Sequence, residues 1–326
     1  MKNVLFAVLK TLVTAVLFYF LFRKVDFNEF GATLRNARLD YLLAGFVLLW
    51  LGHYMCIFRW RMLMRPVMPI LSLANLFAIY CIGLFFNLTF PTVVGGDVVK
   101  MYYAGKPSKR FAASFAATFL DRDAGMLAMM MIACAATLLH PMSVPGIPVG
   151  YIIWGATVAF VLANLAIFTP SLHRLLASLL NRFHLSKLTS RIDTISNVFQ
   201  VMGKHPVVLI NSLVISLVNQ IVAISISWIL ALGLHIDVPL LYFLVFIPVV
   251  TLISMIPISL NGMGLREYAF LSLFGAIGVD REAAVALGLL SSATIFLSAV
   301  PGSVIYIFFR NRADARQMAA LEGDLS

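Results

Sequence analysis

The chain has 326 residues, 61% of them hydrophobic and 12% charged, with a mean hydropathy of +0.96. No core of that size could bury so much apolar surface, which excludes a soluble domain and predicts an all-α, polytopic integral membrane protein. The net charge of +10 does not indicate a nucleic-acid partner, because the bases lie in short segments between apolar runs, where they orient the chain and face anionic headgroups.

Apolar runs near the twenty residues that cross a hydrocarbon core of about 30 Å as a helix fall at 3–22, 40–58, 71–90, 111–139, 150–169, 207–233, 240–257 and 283–309. About eight transmembrane helices are predicted within a single domain over 1–326. The first run is interrupted by Lys10, and no small-x-small cleavage site precedes Arg23, so it reads as a retained helix and not as a signal peptide. Two shorter apolar pieces, 95–105 and 264–278, directly follow the third and seventh runs and are too short to be independent spans. Cys56, Cys81 and Cys134 lie inside apolar runs without ligand spacing, so neither a metal site nor a disulfide framework is expected.

Loop charges set the sidedness. Arg59, Arg61 and Arg65, the group Lys106, Lys109 and Arg110, the 170–206 segment and the tail from Arg310 are basic, whereas 140–150 and 235–240 carry no Lys or Arg. The positive-inside rule then puts both termini in the cytoplasm. The 23–39 loop, with Arg23, Lys24, Arg35 and Arg38, dissents and is outvoted. Within 170–206, apolar residues recur at helical spacing opposite Arg174, Arg182, Lys187 and Arg191, the pattern of amphipathic helices on a leaflet surface or of a linker between halves.

The stretch from Pro91 to Tyr102 aligns without a gap on Pro257 to Tyr268, both with the pattern P-x4-G-x3-[KR]-x-Y after an apolar run. Proline removes a helical donor and glycine tolerates conformations closed to other residues, so each stretch predicts a break between two helices. Such breaks are also common as simple kinks, but two in matching register favour an ancient duplication. The first hairpin, about 71–106, is flanked by basic segments and the second, about 240–278, by uncharged ones, which predicts opposite orientations in the membrane. Inverted repeats with paired broken or re-entrant helices point to a transporter whose substrate sits between the tips. The tip residues are Pro91, Gly95, Gly96, Pro257, Asn261, Gly262 and Gly264.

Ionisable groups inside a membrane are costly unless they face a cavity or each other. Asp121, Arg122 and Asp123 lie inside the fourth run, with the two acids two positions apart and so on roughly opposite helix sides. Asp97 and Lys100 are three apart and share a face of the first short helix, and Arg266 and Glu267 open the second. A cavity lined by Lys100, Arg122 and Arg266 would hold a phosphate, with Asp97, Asp121, Asp123 and Glu267 pairing the bases when it is empty. The alternative is a set of ion pairs that only hold helices together. Asn87, Asn164, Asn219 and Gln220 are assigned to interhelical hydrogen bonds, and Lys10 and Arg59 to snorkelling. There is no HExxH, P-loop or GxSxG motif, so no catalytic residue, metal or cofactor is assigned.

The segments GGDVVKMY, FLDRDAG and NGMGLREYAF, in this order and spacing, resemble the transmembrane region of lysylphosphatidylglycerol synthases, a flippase-like family, over roughly residues 5 to 310. The resemblance implies a multi-pass protein of the bacterial cytoplasmic (inner) membrane that moves or handles lipids. By motif it carries over to Gly95, Gly96, Asp97, Lys100, Asp121, Arg122, Gly262, Gly264, Arg266 and Glu267. With sixteen residues after Arg310, the C-terminal aminoacyltransferase domain of bifunctional members is expected to be missing. The expected function is therefore a lipid translocase that binds an anionic phospholipid headgroup between the hairpins. The alternatives are a non-transporting partner that recruits a lipid-modifying enzyme through 170–206 and, less favoured, an intramembrane lipid transferase.

Overall fold

The computed structural model describes residues 2–23, 25–90, 95–139, 145, 148–168 and 201–323. The helices in chain order are α1 (Lys2–Phe22), α2 (Phe27–Arg35), α3 (Leu39–Met64), α4 (Leu73–Thr89), α5 (Gly95–Gly105) and α6 (Phe111–Leu139). They continue with α7 (Val149–Phe168), α8 (Pro206–Gly233), α9 (Leu240–Ser254), α10 (Leu265–Gly275) and α11 (Arg281–Gly323). The chain is a polytopic, all-helical membrane protein, and each predicted apolar run is a helix. Pro91 and most of the 170–206 segment lie outside the described residues, so the amphipathic reading of that segment is not addressed by the fold.

The membrane imprint is plain on the long helices. In α3 the exposed large side chains are Leu39, Leu43, Val47, Leu51, Tyr54 and Phe58, and in α8 they are Val207, Ile210, Val214, Val218 and Ile221. Both series step by three or four, so each is one stripe of a helix, apolar and turned outward as lipid requires and water would not. The opposite faces carry small or polar residues: Gly45 lies against Leu230, Gly52 against Asn219, and Ser212 and Ser216 are buried. Small residues let these two helices approach closely, and the order of the contacts makes them antiparallel.

The helices α3, α6, α8 and the Arg281–Phe308 part of α11 are long and apolar enough to cross a membrane. The arms α4 and α9 have 17 and 15 residues. At 1.5 Å per residue they reach only about 25 and 22 Å, short of a hydrocarbon core of about 30 Å. Each is followed by a break and a short helix of 11 residues, α5 or α10, that packs back on it. Ser72 caps α4 by accepting from the Asn75 N–H at 3.3 Å. Each hairpin has its own apolar core: Trp60, Leu63, Leu76, Ala116 and Leu120 around the first, and Phe243, Phe246, Phe270 and Phe274 around the second.

The two breaks are built differently, although their sequences align. In the first, Gly95 and Gly96 already belong to α5, and their role is close approach. A Cβ on Gly96 would run into the Gly83 carbonyl oxygen and the Asn87 side chain, whose Oδ1 accepts the Gly96 N–H at 2.7 Å. In the second, α10 starts only at Leu265, and Asn261, Gly262 and Gly264 have φ of 47°, 75° and 80°. These left-handed values are the reason for glycine there. Gly96→Ala is accordingly expected to destabilise the protein by about 1–3 kcal/mol through overpacking, read as a lower melting temperature in detergent. Gly275→Ala, with no atom within 4 Å of the new methyl, should leave it unchanged.

Candidate functional site

A partly open cavity of about 370 Å³ lies against the second hairpin, and no residue of the first hairpin lines it. Its wall includes Arg59 from α3, Asp121 and Arg122 from α6, Gln220 from α8, Thr251 and Ser254 from α9, Asn261 from the second break and Arg266 from α10. Met126, Met129, Val250 and Ile295 supply apolar lining.

The charges form a graded network. Arg59 donates from Nε to Asp121 Oδ1 at 2.7 Å and from Nη1 to Ser216 Oγ at 2.6 Å. One layer away, Asp97 is shared by two cations: Lys100 Nζ reaches its Oδ1 at 2.7 Å, and Arg122 Nη1 donates to its Oδ2. Lys100 also sits 5.1 Å and 5.7 Å from the ring centroids of Tyr80 and Trp60, so two aromatic faces help to hold its charge in the interior. Arg266 is different. Its Nη1 donates to Ser292 Oγ at 3.1 Å, and among the described residues it is in no ion pair.

Of the residues singled out in the sequence, Asp121, Arg122, Arg266 and Asn261 share the cavity wall. Asp97 and Lys100 stand behind Arg122 and fix it instead of lining the space. Asp123 is not on the cavity wall and lies on the side of α6 toward α7, near Asn164. Glu267 is fully buried, and its two oxygens are occupied: Oε2 accepts the Gly264 N–H at 2.7 Å and Oε1 accepts Ser292 O–H at 2.5 Å. It therefore caps the first turn of α10, satisfying a donor that the helix itself cannot. Gly262, Gly264 and Pro257 shape the turn that brings Arg266 to the wall.

The snorkelling assignment for two bases is corrected. Lys10 is 2% exposed and Arg59 is 4% exposed, so both side chains are folded into the protein. Arg59 falls outside the span only when that span is ended at residue 58; α3 runs on to Met64 and carries Arg59 inward on its packed face. The readable signal is the series Gly45, Gly52, Cys56 and Arg59, which continues the small-residue face that meets α8. Three of the four amides bond across a helix boundary as expected: Asn87 accepts the Gly96 N–H, Asn219 donates to Cys56 Sγ at 3.5 Å and Gln220 donates to the Gly125 carbonyl at 2.8 Å, whereas Asn164 donates to the Phe160 carbonyl of its own helix at 3.0 Å.

Chemically, the site offers three guanidiniums and one carboxylate in a space walled by six helices and a turn. Guanidinium groups bind oxyanions through paired N–H donors, and their value rises where water is scarce. No significant match is found among curated proteins or among solved structures. The sequence profile of the lysylphosphatidylglycerol synthase TM region matches residues 7–302. With nearly the whole chain covered, this multi-pass membrane protein belongs to the lysylphosphatidylglycerol synthase transmembrane-region family, whose members are associated with lipid handling.

Proposed function

We propose that the protein is a lipid flippase that receives an anionic phospholipid headgroup in the Arg59, Arg122 and Arg266 cavity and passes it between leaflets, the acyl chains staying in lipid. The observation that carries this reading is Arg266: a half-buried guanidinium on the cavity wall that forms no ion pair among the described residues. A cation held this way is stabilised when an anion arrives, and the membrane supplies anionic headgroups at high density.

The two hairpins are read as inverted repeats. The packing supports this: α4 lies on α11 as α9 lies on α6, α5 lies on α6 as α10 lies on α11, and the antiparallel pair α3 and α8 runs between them. Small shifts of one hairpin unit against the other would change which side the cavity faces, the usual logic of paired broken helices.

In proteoliposomes with a fluorescent phosphatidylglycerol, wild type is expected to exchange the lipid between leaflets, and Arg266→Ala to slow exchange at least tenfold. Arg122→Ala should slow it similarly while the fold survives, because Asp97 keeps Lys100 as its partner. Exchange by both variants at the wild-type rate would overturn the proposal.

A further inference from the structure

We infer that the cavity selects a headgroup that is a single phosphodiester anion bearing neutral hydroxyls, and discriminates against headgroups that carry an ammonium. The inference rests on the reading of the cavity as the headgroup site and narrows it to a substrate class.

The first ground is the state of the carboxylates. An ammonium in the cavity would need one to receive it, and each acid at or behind the wall is taken. Asp121 accepts from Arg59, Asp97 holds Lys100 and Arg122 together, and Glu267 spends one oxygen on the Gly264 N–H and the other on Ser292. To gain a carboxylate, an ammonium must strip it from a buried guanidinium, which leaves that cation unpaired in low dielectric. Asp123 cannot serve, since it faces α7 from the far side of α6.

The second ground is the charge count. Arg59, Lys100, Arg122 and Arg266 bring four positive charges, and Asp97, Asp121 and Glu267 bring three negative ones, so the cluster holds one excess positive charge. A phosphodiester neutralises it. A phosphomonoester, largely a dianion at neutral pH, overshoots, and a zwitterion leaves the excess in place.

The third ground is the uncharged polar wall. Asn261 makes no side-chain hydrogen bond among the described residues, and Gln220 uses only its amide N–H, on Gly125, so its carboxamide oxygen is open. The Thr251 and Ser254 hydroxyls donate to their own helix, to Ile247 at 2.8 Å and Val250 at 2.6 Å, and keep lone pairs for a ligand hydroxyl. These groups suit a polyol. The volume of about 370 Å³ lies at the low end of ligand pockets, about 300–1,000 Å³, which fits a headgroup without its acyl chains.

The test is displacement of fluorescent phosphatidylglycerol from the purified full chain in micelles at pH 7.5. Unlabelled phosphatidylglycerol is expected to compete at least fivefold better than phosphatidylethanolamine, lysyl-phosphatidylglycerol or phosphatidic acid; a smaller margin for any of them overturns the selectivity. Glycerophosphoglycerol, the deacylated phosphodiester, tests the soluble source of the same chemistry, and displacement at concentrations comparable to the lipid would overturn assignment to a lipid. Asn261→Asp adds a free carboxylate at the wall without breaking an existing bond, and aspartate tolerates the left-handed backbone there. It should narrow the margin over lysyl-phosphatidylglycerol at least threefold, and an unchanged margin counts against the proposal. Arg266→Ala separates the two levels. If it leaves phosphatidylglycerol retention unchanged, the cavity is not the headgroup site; if it weakens retention while ammonium lipids compete equally, only the selectivity falls.

Discussion

Asp97→Asn is expected to cost more stability than any other single charge change in the core, about 3–5 kcal/mol. The carboxylate is mostly buried and serves Lys100 and Arg122 at once, so its loss removes an ion pair from two cations instead of one. Lys100 would keep the faces of Tyr80 and Trp60, which are worth about 2 kcal/mol or somewhat more when dry, and the more distant charge of Asp121. For a chain of this size the melting temperature should fall by roughly 5–10 °C, measured on purified protein in detergent. Adding Lys100→Met to Asp97→Asn should recover part of the loss, since one stranded charge is removed. A single variant that melts like wild type would show that water already reaches this layer.

Arg59→Leu is expected to have the next largest effect. It leaves Asp121 buried without its cation and Ser216 without its donor, and uncompensated buried charges cost about 3–5 kcal/mol. Arg59→Leu combined with Asp121→Asn should lose clearly less than the sum of the two single changes, because the pair disappears together. The functional readout separates from the structural one. The double variant removes one cation and one anion from the cavity wall, so phosphatidylglycerol retention should fall while the melting temperature largely recovers. Additive losses in stability would mean that Arg59 and Asp121 are not energetically a pair.

The apolar runs made the fold legible because a membrane imposes one rule on every span: backbone bonds satisfied within the helix, apolar side chains outward. Even the short helices α5 and α10 were predicted within a few residues, because Pro, Gly and a following base punctuate them. Arg59 escaped because hydropathy averages over a window and ends a span at the first cluster of bases, whereas helix α3 ends where packing against α8 ends. Glu267 was grouped with the cavity charges because its type and neighbour, Arg266, suggested it. Its capping role depends on the φ of 80° at Gly264, which brings that N–H within reach and is set by the turn rather than by periodicity. The short helix α2, capped by Asp26 accepting from Asn28 N–H at 2.7 Å, lies in a loop that charge counting treated only as a dissenting vote on sidedness.

The contact between Gly83 and Gly96 has a mechanical side. With no side chain between them, the backbones of α4 and α5 touch, and there is no clearance for one arm to slide or rotate on the other. The first hairpin is thus a lever of one piece. Arg122 sits on α6 but is clamped to that lever through Asp97, so its guanidinium is geared to the hairpin as much as to its own helix. Arg266 rides on the second hairpin, and Arg59 on the pair between them. The three cations of one cavity are thereby mounted on three separate packing units, and in the proposed transport any rocking of those units would open or close the spacing of the charges.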